Sequence, residues 1–234
     1  MTSNIYNDKS YEASNPDWHM ADSAWKAKKI SALLQKNRIP FQSCVEVGCG
    51  GGRVLSELAG LIPGPAYSGY DISPDAAKLW PKSSAPSVSY HLSDFLGSTK
   101  QADLILLVDV FEHVEDYFGF LRKLSVRAKK FVFHIPLDMH ISGLLRDTQI
   151  HAREKVGHIN YFSRATALAT LKDTGYQIID ESFTKLSQET VEGHRPLTSL
   201  TNIARSTIEL ASIKFAAKLL GGYSLLVLCE PKDI

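Results

Sequence analysis

The segment Val45–Leu55, VEVGCGGGRVL, limits what this chain can fold into more than any other part of the sequence. It begins with a short apolar run, which is typical of a strand buried on both faces of a sheet. Glycines at positions 48, 50, 51 and 52 follow, and they permit a turn in which a ligand approaches the backbone closely. A helix from about Arg53 would point its unpaired N–H groups into the same space. The segment therefore predicts a nucleotide-binding corner.

Strand and helix patterns alternate along the rest of the chain, which predicts an α/β fold with a parallel sheet. A first amphipathic helix is expected from about Ser23 to Asn37, and Pro40 follows it. The expected strands cover residues 44–47, 66–70, 87–91, 104–108, 130–135, 176–181 and 224–229. The expected helices between them cover residues 54–61, 74–80, 117–124 and 163–172.

Two stretches, residues 137–162 and 186–222, fall outside this alternation, and both follow late strands. The second contains a helical pattern from about residue 199 to residue 220. We expect a single domain over residues 1–234, with a helical cap at 1–40 and the two stretches as lid or substrate insertions. The expected core consists of residues 41–185 together with 223–234.

The net charge of the chain indicates which kinds of partner to expect. The chain has 26 basic and 25 acidic residues, a net charge of +1, so we expect no nucleic acid partner and favour a small molecule. No segment has the roughly 20 apolar residues that span a bilayer, and no secretory signal is recognisable, so a cytoplasmic location is expected. Arg205, Lys214 and Lys218 leave weak association with a membrane surface open. A monomer and a homodimer are both compatible with the sequence.

The three cysteines give no sign of a metal site or a disulfide. Cys44, Cys49 and Cys229 are an odd number without CxxC spacing, and two of them lie in strand-like runs. We expect them to be buried free thiols.

The glycine turn alone does not identify the nucleotide, but the residues downstream of it narrow the choice. A dinucleotide-binding GxGxxG turn needs a glycine at position 53, where this chain has Arg53, and this argues against a pyrophosphate. Asp71, Asp94 and Asp109 follow three successive expected strands. Open α/β sheets bind ligands at these carboxyl ends, and a carboxylate can accept hydrogen bonds from ribose hydroxyls or an exocyclic amine.

Four motifs in this order resemble those of class I S-adenosylmethionine-dependent methyltransferases. They are VEVGCGGG, GYDIS, SDF and LILLVDVFEHV. The later GHINYFS and GYQIIDESF are similar to small-molecule members, including the ubiquinone-biosynthetic O-methyltransferase type. The resemblance covers roughly residues 30–183 and the final strand. It implies a Rossmann-like, seven-stranded, mostly parallel sheet with helices on both faces and an antiparallel last strand.

The resemblance also implies a cofactor site for S-adenosylmethionine, with S-adenosylhomocysteine as product. The glycine turn would surround the methionine portion, Asp71 would bind the ribose, and Asp94 would accept the adenine amino group. Ile72 and Phe95 would flank the adenine. The residues assigned to the cofactor are Glu46, Gly48, Cys49, Gly50, Asp71, Ile72, Asp94, Phe95, Asp109 and Val110.

Methyl transfer is an in-line displacement that depends chiefly on alignment, and a hydroxyl acceptor is helped by a general base. The candidate bases are His158, His113 and His151, with His134 behind them because its strand would bury it. A metal site formed by His151, His158 and Asp147 has no recognised ligand spacing, so no metal is expected.

Oxygen is the favoured acceptor atom, ahead of nitrogen and carbon. Two alternatives stay open. The first is an NAD(P)-dependent oxidoreductase on a related sheet, against which Arg53 argues. The second is a binding protein that keeps the cofactor pocket without methyl transfer, or that uses residues 186–222 to dock a partner.

Overall fold

The computed structural model describes residues 20–80, 87–185 and 207–232. Its strands form one seven-stranded sheet in the order β3-β2-β1-β4-β5-β7-β6. Strands β1 to β5 are mutually parallel, and β7 lies antiparallel between β5 and β6. The strands are β1 (Ser43–Val47), β2 (Ala66–Asp71), β3 (Val88–Leu92), β4 (Ala102–Val108), β5 (Ala128–Pro136), β6 (Tyr176–Thr184) and β7 (Ser224–Pro231). The predicted fold class and the antiparallel last strand are confirmed.

The helices expected at 23–37, 54–61, 74–80, 117–124 and 163–172 are present with small shifts at their ends, and two short helices, at 141–144 and 148–156, lie in the stretch 137–162, where no helix was expected. The third ends early, at Ala77, where Lys78 N donates to Asp75 O at 3.3 Å in a tighter turn. The helices are α1 (Ser23–Lys36), α2 (Arg53–Leu61), α3 (Pro74–Ala77), α4 (Tyr117–Ser125), α5 (Ile141–Leu144), α6 (Thr148–Val156), α7 (Arg164–Asp173) and α8 (Ile213–Leu220). Across the described ranges, no helix combines the length and the apolar character that crossing a membrane requires.

The helical pattern at 199–220 does not form one continuous helix. Residues 199–206 lie outside the described residues, and so does Arg205. Residues 207–211 are helical, but Ser212 is extended and caps α8 by accepting a hydrogen bond from Phe215 N at 3.3 Å. A serine side chain competes for backbone N–H groups, which favours a helix start over a helix interior at this position.

Two apolar clusters cover the two faces of the sheet. On one face Phe131, Phe133 and Ile135 of β5 pack with residues of α4 and α7. On the other face Val132 packs with residues of α1 and α2. Because side chains alternate along β5, His134 points to the same face as Val132. That face is covered by α1, and His134 is buried there, as the sequence predicts.

The three cysteines are buried free thiols, as predicted. Cys44 lies in β1, Cys229 in β7 and Cys49 in the glycine turn. Burial raises the pKa of all three thiols, so they stay in the neutral, poorly reactive form.

Candidate active site

A cavity of about 610 Å³ lies at the carboxyl ends of the parallel strands. The glycine turn after β1 forms one wall, and the residues that follow β2 and β4 form others. The start of α1, the loop after α6 and residues of α4, β5 and β7 also contribute to its lining. This volume is in the range of sites that enclose a drug-sized ligand.

The glycine turn is possible only without side chains at its narrowest points. Gly48 has a φ of +72°, and a Cβ there would lie 2.8 Å from Cγ2 of Val110. Gly52 has a φ of +79°, and a Cβ there would lie 2.5 Å from the ring of Tyr90. Gly48 and Val110, both predicted cofactor residues, are therefore in close contact at the cavity wall.

Asp71 ties the glycine turn to the turn after β2. Its Oδ2 accepts a hydrogen bond from Gly50 N at 2.8 Å, and its Oδ1 accepts one from Ser73 N at 2.8 Å. Burial raises the pKa of Asp71, and these backbone donors oppose that rise. A carboxylate has about four acceptor positions, so each oxygen can also accept a bond from a ligand hydroxyl.

Glu46 lies in β1 directly before the turn and is only 2% exposed. Its Oε2 has no hydrogen-bond partner among the described residues, although Glu46 lines the cavity. Burial raises the pKa of Glu46 to about 8, against the charge of Lys26. A ligand that supplied a cationic or hydrogen-bonding group here would satisfy the unpaired oxygen.

The residues predicted to surround the adenine all line the cavity. Ile72 is 69% exposed and so offers an open apolar surface. Asp94 accepts a hydrogen bond from Leu96 N at 2.9 Å and thereby begins a short 3-10 helix. Phe95 is 1% exposed and packs edge-on against Tyr70, so it serves the core as well as the cavity wall.

Asp109, which follows β4, is the centre of a buried polar network. Lys26 Nζ of α1 lies 2.8 Å from its Oδ2, and His134 Nδ1 of β5 lies 2.6 Å from its Oδ1. Although burial opposes it, the charges of His134 and Lys26 hold the pKa of Asp109 well below its usual value. Burial lowers the pKa of Lys26, but Asp109 more than reverses this, so the net shift is upward. His134 Nε2 lies 2.9 Å from Oγ1 of Thr184, which fixes the ring from its other side.

Two of the three candidate bases lie in contact with each other in the lining of the cavity. The rings of His113 and His158 form an edge-on pair with centroids 4.9 Å apart. His158 Nδ1 lies 2.5 Å from Oδ2 of Asp138, and His113 Nδ1 lies 3.1 Å from the carbonyl oxygen of Gly157. His151 is exposed on α6 and is not among the residues that line the cavity.

Glu112 belongs to the same cluster, although the sequence does not single it out. Its side chain is fully buried, and neither carboxylate oxygen has a hydrogen-bond partner among the described residues. Burial, followed by the charge of Asp109, raises the pKa of Glu112 well above its usual value. Its carbonyl oxygen accepts bonds from the backbone N–H groups of Ile159 and Asn160, which holds the His158 loop against it.

The cavity is acidic. Among the described residues, five carboxyl side chains line it, against two cationic side chains, those of Lys26 and Arg53. Lys26 is paired with Asp109, and Arg53 lies 3.2 Å from Glu57 in the same helix. Even with Glu46 in its protonated form, carboxyl groups outnumber the cationic groups, which favours a ligand that carries positive charge.

Comparison with known proteins agrees with this geometry. The sequence profile of a family described as a methyltransferase domain matches residues 18–181. No curated protein matches the chain.

Many solved structures share the fold at low sequence identity. Magnesium protoporphyrin IX methyltransferase from Synechocystis PCC 6803, solved with S-adenosylhomocysteine, is 15% identical with a TM-score of 0.63, over 98% of this chain and 97% of that one. An S-adenosylmethionine-dependent methyltransferase from Thiobacillus denitrificans, solved with S-adenosylhomocysteine, is 13% identical with a TM-score of 0.64, over 95% and 98%. A plantazolicin methyltransferase is 15% identical with a TM-score of 0.62, over 99% and 94%.

Proposed function

This chain belongs to the methyltransferase domain family, and from that premise we propose that it transfers a methyl group from S-adenosylmethionine to a hydroxyl group of a small molecule. Bound S-adenosylmethionine supplies an electrophilic methyl group on a sulfonium. The remaining question is how this chain's residues hold the donor and activate the acceptor.

The donor side of the cavity fits such a cofactor. The absence of a side chain at Gly48 leaves a narrow cradle between the turn and Val110. The unpaired Oε2 of Glu46 and the surplus of carboxyl groups suit the ammonium and sulfonium charges. Asp71 keeps acceptor positions for the ribose hydroxyls. The relatives solved with S-adenosylhomocysteine support this assignment.

The principal work of the protein is alignment, because displacement requires the acceptor, the methyl carbon and the sulfur to be in line. Asp71 fixes the glycine turn through Gly50, and Lys26 and His134 fix Asp109. Both groups are held before any ligand arrives, so little reorganisation is needed during the reaction.

The assignment of a hydroxyl acceptor depends on the contact between His158 and Asp138. Because a carboxylate only accepts hydrogen bonds, the proton of this 2.5 Å contact lies on Nδ1 of His158. In the neutral ring the lone pair is then on Nε2 of His158, where it can take the proton of an acceptor hydroxyl. A sulfonium donor reacts with neutral amines without such help, so the dyad favours oxygen over nitrogen.

Two measurements on the purified chain test the proposal. Calorimetry with S-adenosylhomocysteine should show one site, and its absence would reject the cofactor. Mass spectrometry of phenols, hydroxy acids and amines incubated with deuteromethyl-labelled S-adenosylmethionine should show label on oxygen. Label only on nitrogen or carbon would reject the hydroxyl acceptor, and cofactor binding without transfer to any acceptor would favour a binding protein.

We also propose that the protein is cytoplasmic, that it is a monomer or a homodimer, and that it does not bind nucleic acid. The near-neutral net charge of +1 and the acidic cavity support a small-molecule partner. Light scattering of the purified chain would determine the oligomeric state.

A further inference from the structure

Glu112 is the one residue in the described part of the chain with two buried side-chain oxygens that lack a hydrogen-bond partner. A carboxyl group with 0% exposure and two unpaired oxygens costs free energy that hydrogen bonds normally offset. Such a group calls for a partner that the protein itself does not provide, such as an ordered water or an ion. His113 and His158 lie next to it. One ligand atom from each of the three residues falls within 4.8 Å of the others.

Both histidines are oriented as metal ligands usually are. A ligating imidazole typically gives its second N–H to a carboxylate or a backbone carbonyl, which fixes its tautomer and aims the other nitrogen. His158 makes this contact with Asp138, and His113 makes it with the carbonyl oxygen of Gly157. Both acceptors place the proton on Nδ1, so Nε2 of each ring bears the lone pair.

We propose that Glu112, His113 and His158 form a binding site for a first-row divalent metal ion such as Zn²⁺. Two imidazoles and one carboxylate are a ligand set of catalytic zinc sites, in which a fourth position stays open for substrate. The ligands of tetrahedral zinc lie about 3.4 Å apart, so the three side chains must close by about 1 Å on binding. The charges balance, because the carboxylates of Glu112 and Asp138 together neutralise a divalent ion.

A ligand in the cavity could reach the fourth position, since His113 and His158 line the cavity. An acceptor hydroxyl that binds the ion there would lose its proton to solvent more easily, because a metal ion lowers the pKa of a bound hydroxyl. The resulting oxygen lone pair forms the O–CH₃ bond as the S–CH₃ bond breaks and its electron pair stays on sulfur. With the ion bound, His158 acts as a ligand instead of a proton acceptor. The site itself does not depend on the acceptor, but this role rests on the proposed function.

Metal binding can be measured directly on the full chain after treatment with a chelator. Titration with Co²⁺, followed by visible absorption, should show one site, and Zn²⁺ should displace the Co²⁺. Glu112→Gln keeps the shape of the side chain and removes its charge, and His158→Ala removes one imidazole. Each variant should lower the Co²⁺ affinity by at least about tenfold. His151→Ala is the matched control, since His151 is exposed outside the cluster and its loss should leave the affinity unchanged.

Asp138→Asn tests the contact between Asp138 and His158, which orients a proposed ligand. It should weaken Co²⁺ binding about 10- to 100-fold without removing a ligand. Wild-type protein that binds neither ion, or that binds Co²⁺ equally well in the Glu112→Gln and His158→Ala variants, would overturn the proposal. S-adenosylhomocysteine affinity, measured in the same samples, shows whether each variant is folded.

The two proposals can fail separately. Variant-sensitive Co²⁺ binding in a chain that does not methylate hydroxyl groups would keep the metal site and reject the proposed function. Hydroxyl methylation at full rate in the chelated protein, with no Co²⁺ binding, would keep the function and reject the metal site.

Discussion

Lys26 in α1 places its ammonium group 2.8 Å from the carboxylate of Asp109, at the carboxyl end of β4. The pair joins α1 to the edge of the sheet where the cavity lies. Both groups are largely removed from solvent, with side-chain exposures of 9% and 27%. Removal of one partner therefore leaves a charge that water reaches poorly.

Lys26→Met tests this connection. It should lower the free energy of unfolding by roughly 3 kcal/mol, since it leaves Asp109 with His134 as its remaining partner. Urea denaturation followed by circular dichroism measures the change. Lys28→Met in the same helix is the control, because Lys28 is exposed and its replacement should change stability by less than about 0.5 kcal/mol. Equal effects of the two substitutions would contradict the role of the buried pair.

Gly48→Ala tests the close approach of the glycine turn to Val110. The added Cβ meets Val110 and requires a φ of +72°, so we expect a loss of about 1–3 kcal/mol in stability and at least tenfold weaker S-adenosylhomocysteine binding. Gly60→Ala makes the same chemical change in α2, where no atom lies within 4 Å of the new Cβ. It should stabilise the protein by about 0.5–1 kcal/mol and leave the affinity intact. Calorimetry and thermal melting compare the two.

Asp71→Ala removes the acceptor of Gly50 N and Ser73 N. We expect the S-adenosylhomocysteine affinity to fall by about 1–3 kcal/mol, which is about 5- to 150-fold. Asp173→Ala, at the exposed end of α7, should leave the affinity unchanged. A wild-type Kd for Asp71→Ala would show that the ribose lies elsewhere.

Glu46→Gln tests the buried carboxyl by pH. Because the pKa of Glu46 is raised to about 8 in the folded state, the folded chain holds this proton more tightly than the unfolded chain does. The resulting stabilisation is complete below about pH 4.5 and is lost as the pH rises through about 8. The difference in unfolding free energy between wild type and variant should change over this interval, by at most about 1.4 kcal/mol per pH unit. A pH-independent difference would show that Glu46 is ionised throughout.

His158→Ala tests the activation of the acceptor. Turnover should fall by about 10² to 10⁴, while S-adenosylhomocysteine affinity stays within about twofold of wild type. His151→Ala, which removes an exposed histidine seven positions earlier, should leave turnover unchanged. Full turnover in the His158→Ala variant would exclude that residue from the reaction.

Most of the fold follows from local patterns in the sequence. The apolar runs of β1, β4 and β5 are buried on both faces, and Ser163 begins α7 with a capping box, as its position before the helical pattern predicts. The strand-end aspartates line the cavity because parallel strands place their carboxyl ends at one edge.

The partners of these residues could not be predicted, because they lie far away in the sequence. Lys26 and Asp109 are 83 positions apart, and the helix pattern marks Lys26 only as part of a helix. The contact of His158 with Asp138 spans 20 positions, and no motif of the sequence includes Asp138. Glu112 could have been identified from the sequence, because it directly precedes the candidate base His113 in the FEHV sequence. Its complete burial, however, depends on the return of the chain at Ile159 and Asn160.

The last two strands of the sheet determine what a change in the segment between them must preserve. Thr184, at the end of β6, pairs with Ser224, at the start of β7, and its hydroxyl donates to the Ser224 carbonyl at 3.3 Å. The two strands therefore keep their register through their own pairing and not through the segment between them. In the described part of that segment, Ala216 and Ala217 of α8 are buried in the apolar cluster on one face of the sheet. Any replacement of the segment would have to keep these two buried positions.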